Sequence, residues 1–298
     1  ASPLILGPVG VLGIVHEEAE LAVAQAATAL HMPFVLSTVS SKPLEQIAQS
    51  VPESQRWFQL YWPGNDELAI SLVQRAEQAG YSALVITLDT YLLAWRERDL
   101  QHAYLPFLEG KGLANYFIDP VFQKMVGEDP RSNPRKAIET FAANFSNPSL
   151  TWDHLTWLRQ HTKLPILLKG ILHPEDATLA MHLGMAGIIV SNHGGRQLDG
   201  AIPALDALPG VVDAVGGKIP VLFDSGIRRG ADVVKALALG ARAVLVGRPY
   251  VYGLALEGKK GVQEVMSNLL ADVDLSLGLL GCKSWSEVSR EQLRHCSE

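Results

Sequence analysis

Short apolar runs, each followed by a loop and then an amphipathic stretch, recur eight times along the chain, and no other feature constrains the fold as tightly. The runs cover residues 4–8, 34–37, 57–60, 83–87, 166–169, 187–191, 221–223 and 243–246. They are continuously apolar instead of alternating, the pattern of parallel strands buried on both faces. The stretches between them read as helices. Residues 17–30 are rich in Ala and Leu. Residues 66–79 open on Asp66 and Glu67, acids suited to the positive end of a helix dipole, and stop before Gly80. Thr151 is placed to cap a helix beginning at Trp152, and Pro174 opens another at its first turn. Residues 230–239 and 261–280 supply the last two. Strands alternating with helices imply an α/β protein. Eight such units predict a closed (β/α)8 TIM barrel, in preference to an open doubly wound sheet, as a single domain over residues 1–298.

Residues 90–150 break the rhythm with a long insertion and no clear strand. In a barrel it follows strand four, so it stands on the face where the strand C-termini carry function. Connections of this length are usually functional or mobile. Its aromatics, Trp95, Tyr104, Phe107, Tyr116 and Phe117, fit a lid over a pocket or a rim packed against the barrel or a second subunit, and the sequence does not separate the two.

Composition excludes several classes of function. A net charge of −6, with no basic run interleaved with aromatics, argues against a nucleic-acid partner. No apolar run reaches the ~18 residues of a membrane span. The two cysteines, Cys282 and Cys296, have neither metal-ligand nor redox spacing, so no metal is expected and a reducing, cytoplasmic setting is.

The strand ends carry the chemistry. In a barrel of this kind, polar residues at the C-terminal ends of strands are the candidates for a site. Strand three offers Gln59 and Tyr61; strand four offers Thr87, Asp89 and, beyond it, Arg96. Strand five ends at Lys169, and strand six leads into Ser191, Asn192, His193 and Arg196. Asp224 follows strand seven; Gly247 and Arg248 follow strand eight. The last two ends read as a phosphate cup. Asp224-Ser225-Gly226-Ile227-Arg228 and Gly247-Arg248-Pro249 combine glycines, which let backbone N–H groups approach an anion, with forked arginine donors. His193 and Arg196 stand three apart just past an apolar strand: a base that titrates near neutrality beside a group that holds carboxylates bidentately. Asp89 is placed to orient and stabilise the imidazolium. Lys169 suits either charge stabilisation or a Schiff base, and equally a buried ion pair. The remaining histidines, His154 and His161 among them, read as structural or surface residues.

The stretch Ser191-Asn192-His193-Gly194-Gly195-Arg196-Gln197-Leu198-Asp199 resembles the signature of the FMN-dependent L-2-hydroxy-acid oxidase and dehydrogenase family. Phe58-Gln59-Leu60-Tyr61, Thr87-Leu88-Asp89-Thr90, Leu168-Lys169-Gly170 and both phosphate loops support it, and the match spans nearly the whole chain. Within the family, Trp95-Arg96-Glu97-Arg98-Asp99-Leu100, Leu105-Pro106-Phe107, Ala114-Asn115-Tyr116-Phe117 and the run from Gly247 to Gly253 most resemble the lactate 2-monooxygenase branch, as does Pro8-Val9-Gly10-Val11. The resemblance implies FMN as cofactor and a homo-oligomer of four or more copies. His193 is then the base, Asp89 its partner, Arg96 and Arg196 the carboxylate grip, and Tyr61 a substrate hydrogen-bond donor. Lys169 lies beside the flavin, with Pro8, Val9, Gly10, Ser37, Gln59, Thr87 and Ser191 as further contacts. Asp224, Ser225, Gly226, Arg228, Gly247 and Arg248 hold the ribityl phosphate.

The implied reaction is oxidation of a small L-2-hydroxy acid, L-lactate above all, with O2 as acceptor. Early release of the product gives 2-keto acid and peroxide; retention gives oxidative decarboxylation to acetate. Members of the family carry a further segment ahead of the first strand, including a tyrosine that contacts the substrate carboxylate. Residue 1 stands at the threshold of that strand. The expectation that follows is weakened substrate binding on an unchanged fold or, at the limit, a flavin-binding form without turnover. Other phosphate-binding barrels, such as type 2 isopentenyl diphosphate isomerase and inosine monophosphate dehydrogenase, share the phosphate loops, but Arg96 and the His193/Arg196 pairing argue against them.

Overall fold

In the computed structural model, which describes residues 2–294, the eight apolar runs form one closed parallel barrel in chain order. The strands are β1 (Leu4–Leu6), β2 (Phe34–Ser37), β3 (Arg56–Leu60), β4 (Leu84–Thr87), β5 (Ile166–Ile171), β6 (Gly187–Val190), β7 (Val221–Phe223) and β8 (Val244–Val246). The barrel closes through Ile5 opposite Leu245. Cys296 lies outside the described residues.

Strand parity explains the continuous apolar runs. Ile5, Val35, Ala83, Val85, Leu167, Ile189, Leu222 and Leu245 pack with one another as a separate cluster. Their strand neighbours, such as Leu4, Leu36, Leu84, Ile86, Ile188 and Val190, join a larger cluster with the helices. Alternate residues therefore fill the barrel's interior and the barrel–helix interface, and both faces are dry.

The helices are α1 (Ala19–Ala29), α2 (Leu44–Ser50), α3 (Asp66–Gln78), α4 (Glu97–Gln101), α5 (Ala114–Phe117), α6 (Pro120–Val126), α7 (Pro134–Phe145), α8 (Trp152–Leu158), α9 (Pro174–His182), α10 (Ala204–Val215), α11 (Gly230–Ala238) and α12 (Arg248–Leu279). Thr151 and His154 form the capping box of α8, and His161 Nδ1 lies 2.9 Å from the Trp157 carbonyl, so both histidines are structural. The final helix differs from the expected 261–280. It starts at Arg248, with Pro249 in its first turn, and kinks at Glu257–Gly258, where Gly258 takes a positive φ. Periodicity read only the segment beyond the kink. No helix among the described residues is long and apolar enough to cross a membrane.

The insertion is helical and holds a core of its own. Phe107, Phe141 and Phe145 meet with ring centroids 5.0–5.2 Å apart, and Tyr116 packs edge-on against Phe141 at 4.9 Å. Arg75 of α3 ties this region down, donating to the Asn115 carbonyl and to the buried Asp119 carboxylate. Most of the insertion is thus a packed rim, and only its edge facing the barrel mouth reaches the pocket.

Candidate active site

The parity that fills the interior carries on beyond the apolar layer. A step of two residues keeps a side chain on the same face of a strand. From the inward-facing residues it leads to Gly7, Ser37, Gln59, Thr87, Lys169, Ser191, Asp224 and Gly247, one per strand. A second step leads to Tyr61, Asp89 and His193. The C-terminal mouth of the barrel is therefore a ring of polar groups and glycines above an apolar plug.

Two hydrogen-bonded chains order this ring. In the first, the Ser37 hydroxyl donates to Gln59 Oε1 at 3.1 Å, and Gln59 Nε2 donates to Thr87 Oγ1 at 2.9 Å. In the second, Lys169 Nζ donates to Ser191 Oγ at 3.0 Å, and Ser191 Oγ donates to Asp224 Oδ1 at 2.9 Å. Lys169 Nζ also lies 3.4 Å from Asp224 Oδ2. Burial disfavours the Lys169 charge, but Asp224, Asp89 and Tyr61 outweigh it and leave the ammonium above its ordinary value.

His193 has φ +57°, a left-handed conformation costly for a residue with a Cβ. The flanking N–H groups of Asn192 and Gly194 both donate to Ser225 Oγ, and the His193 N–H donates to Ser191 Oγ. The bent loop is pinned at three successive amides, which aims the imidazole back over the barrel. Its Nδ1 sits 2.8 Å from Asp89 Oδ1. Thr90 completes a triangle, its hydroxyl 3.0 Å from the same Asp89 oxygen and 3.1 Å from Nδ1. Burial alone would raise the Asp89 carboxyl. The Lys169 charge and the hydrogen bonds from His193 and Thr90 reverse that and hold it below the ordinary carboxylate range.

Three further groups converge on this pair. The Tyr61 phenol is pushed up to about 12 by burial, against the opposing charge of Lys169, so it remains a neutral donor. Arg96 makes no ion pair among the described residues, and its Nε is buried without a partner. Burial, then the charge of Arg196, holds the Arg96 guanidinium below its usual value. Two cations facing each other without a buried acid between them favour a bound anion. The nearest acid to Arg196 is half-exposed Asp99 at 3.8 Å.

Arg228 and Arg248 flank the other end. They donate to the carbonyls of Ile227 (2.8 Å) and Gly194 (2.6 Å) and pair with no acid among the described residues. The Gly226 and Ile227 N–H groups make no hydrogen bond within the described residues, and Gly226 takes φ +83° with open space where a Cβ would stand. With the N-terminus of α12 at Arg248, the cup is suited to a phosphate.

A cavity of 410 Å³ joins these parts. Pro8, Val9, Gly10, Tyr61, Thr87, Arg96, Lys169, His193, Arg196, Asp224, Ser225, Gly226, Arg228, Gly247 and Arg248 all line it. Ser37, Gln59, Asp89 and Ser191 do not line it; Ser37 is hydrogen-bonded to Gln59, Gln59 to Thr87, Asp89 to His193 and Ser191 to Lys169. Of the five aromatics named above in the insertion, Tyr104 and Phe107 reach the cavity. Tyr116 is buried in the insertion core, Phe117 lies off the cavity, and Trp95 is 83% exposed. Sequence reasoning missed Val39, Thr90, Leu93 and Phe145 on the wall, and Gly170 and Gln197 behind it. Thr90 and Gln197 lay inside quoted motifs. The apolar residues carry no polar signal that could have marked them.

A family model described as FMN-dependent dehydrogenase matches residues 1–295. An L-lactate oxidase from Lysinibacillus sphaericus (strain C3-41) is 51% identical over 95% of this chain and 72% of its own length. A human 2-hydroxyacid oxidase 1 is 38% identical over 98% of this chain and 78% of its own. Among solved structures, mandelate oxidase superposes with a TM-score of 0.83 at 42% identity, covering 97% of this chain and 77% of that one.

Proposed function

The chain belongs to the FMN-dependent dehydrogenase family, and from that premise we propose that it oxidises L-lactate or a similarly short L-2-hydroxy acid with O2 as electron acceptor. FMN-dependent oxidation of a 2-hydroxy acid is the activity of its relatives as a group and of this enzyme. The observation that supports a 2-hydroxy-acid substrate is a carboxylate-held imidazole and, on the wall of the same cavity, an Arg96 with no ion pair among the described residues.

The residues present fit FMN on three counts. Arg228 and Arg248 bring charge that no acid among the described residues neutralises. Gly226 leaves room where a side chain would intrude. Lys169 offers a buried ammonium to the negative charge that a reduced flavin carries. When bound, FMN would supply the two-electron acceptor for oxidation at the substrate Cα, with O2 as the final acceptor.

The protein's own groups do the rest. Arg96 and Arg196 hold the substrate carboxylate, and the Tyr61 hydroxyl donates to it. Asp89 accepts from His193 Nδ1, which leaves the lone pair on Nε2 free to take the proton of the substrate hydroxyl. Because Asp89 stays ionised, the imidazolium forms beside a fixed negative charge. Leu93, Phe107 and Phe145 wall the cavity with apolar surface, which suits a short alkyl substituent and excludes water from the reacting carbon. The name of the Lysinibacillus relative supports lactate.

Anaerobic addition of L-lactate to the FMN-loaded protein tests the reading. The flavin absorbance is expected to bleach, and air is expected to restore it with pyruvate and peroxide in equal amounts. Acetate, carbon dioxide and water in their place would convert the assignment to a decarboxylating monooxygenase. A flavin that no 2-hydroxy acid bleaches would remove it. A cytoplasmic homo-oligomer of four or more copies goes with this reading. Light scattering that returned a monomer mass would exclude the oligomer.

A further inference from the structure

Gln197 stands behind the cavity wall with no part in the chemistry above, yet its side-chain amide joins three pieces of the site. Nε2 donates to the Asp89 carbonyl at 2.8 Å and to the Leu92 carbonyl at 3.1 Å. Oε1 accepts from Arg96 Nη2 at 2.6 Å. Gln197 belongs to the loop after β6 that carries His193, whereas its partners belong to the end of β4 and the first residues of the insertion.

The pairing fixes the amide's orientation. An amide nitrogen facing two carbonyls cannot be exchanged for the oxygen without placing acceptor against acceptor, so the oxygen must face Arg96. Gln197 supplies the one side-chain hydrogen bond to Arg96 among the described residues. The acceptor is neutral, and that has a consequence. A carboxylate at the same place would hold the guanidinium as well but would neutralise it and compete with an anionic substrate. An amide orients the guanidinium and leaves its charge available.

We propose that Gln197 is a positioning residue for recognition of the substrate carboxylate. It sets Arg96 against the loop that carries the base and ties both to the backbone of Asp89, so grip and base share one frame. The proposal rests on the 2-hydroxy-acid reading above. It adds that binding of the carboxylate depends on a residue that does not touch it.

The test uses FMN-loaded enzyme and two readouts: steady-state kinetics with L-lactate, and the perturbation of the flavin spectrum by oxalate, a non-reacting carboxylate. Gln197→Met is expected to raise both KM and the oxalate Kd about tenfold, with kcat within about threefold of the parent. Gln197→Glu keeps the outline of the residue but turns a carboxylate oxygen against the Asp89 and Leu92 carbonyls and neutralises Arg96, so it breaks the frame and the charge together and is expected to raise both at least as much, which gives a second reading where the Met variant folds poorly. In an Arg96→Met background, Gln197→Met is expected to change the oxalate Kd less than about twofold, since its effect runs through Arg96. Unchanged oxalate binding in Gln197→Glu would overturn the proposal, as would a full effect persisting without Arg96, or a loss confined to kcat. Should the parent enzyme bind oxalate but leave every 2-hydroxy acid unoxidised, the functional reading fails while the oxalate arms still decide the role of Gln197.

Discussion

At the scale of single residues, the site turns on the ionisation of Asp89. Its carboxyl lies below the ordinary range because the Lys169 charge, with hydrogen bonds from His193 and Thr90, outweighs burial. A depressed folded value means that the ionised form stabilises the fold above the ordinary carboxylate range, and that this contribution is lost as pH falls through the folded value. Lys169→Met removes the largest opposing contribution and leaves burial opposed only by His193 and Thr90, so the carboxyl should ionise only at higher pH. The acid limb of kcat/KM is expected to move to higher pH, with a loss of about a hundredfold or more at neutrality. Thr90→Val removes one donor and should move the limb in the same direction by less, whereas Thr90→Ser should leave it in place. The pH–rate profile of the three variants decides this, and a Lys169→Met profile superposable on the parent would refute it. Lys169, Asp89 and His193 were legible because charged groups beside an apolar strand have few structural reasons to be there. Thr90 was not, since a hydroxyl after an aspartate reads as an ordinary turn until the histidine is seen 3.1 Å away.

At the scale of elements, β5 shows how backbone geometry makes room for chemistry. Its pairing with β6 slips between Lys169 and Ile171, and Gly170 within the slip has φ +106°. A Cβ at Gly170 would stand 2.8–2.9 Å from Asp89 Cβ, Cγ and N. A strand that kept regular register there would displace the carboxylate that orients His193. Gly170→Ala is therefore expected to cost about 1–3 kcal/mol of stability and, by moving Asp89, to lower kcat/KM by more than that cost explains. Denaturation midpoints and kinetics on the same preparation would test it; full activity with any stability would show that Asp89 has space to yield. The eight strands were legible because parity buries both faces, whatever the loops do. The insertion could be placed after strand four, but its internal structure could not be read. Its helices α4, α5 and α6 run to only seven residues at most, too short for periodicity to register; α7 is longer, but its apolar face has a partner only when Phe141 and Phe145 meet Phe107 in space.

At the scale of the whole molecule, the fold gathers cations at one mouth of a chain whose net charge is −6. Arg96, Arg196, Lys169, Arg228 and Arg248 all reach one cavity, and of these only Lys169 and Arg196 have an acid within 4 Å among the described residues. Such a mouth repels itself until anions fill it, so occupancy should couple to stability through mass action. FMN at a hundred times its Kd is expected to contribute about 2.7 kcal/mol, seen as a rise in thermal midpoint. Riboflavin offers the same ring without the phosphate and should raise the midpoint less at equal concentration. The difference belongs to the cup, so Arg228→Met with Arg248→Met should erase it while leaving the riboflavin shift almost unchanged. Added salt should narrow the gap in the parent protein and leave the double variant indifferent, because the lost interaction is one between charges. Equal shifts for FMN and riboflavin in the parent would mean that the two arginines answer to something other than the phosphate, and that the polar ring at the barrel mouth carries the cofactor alone.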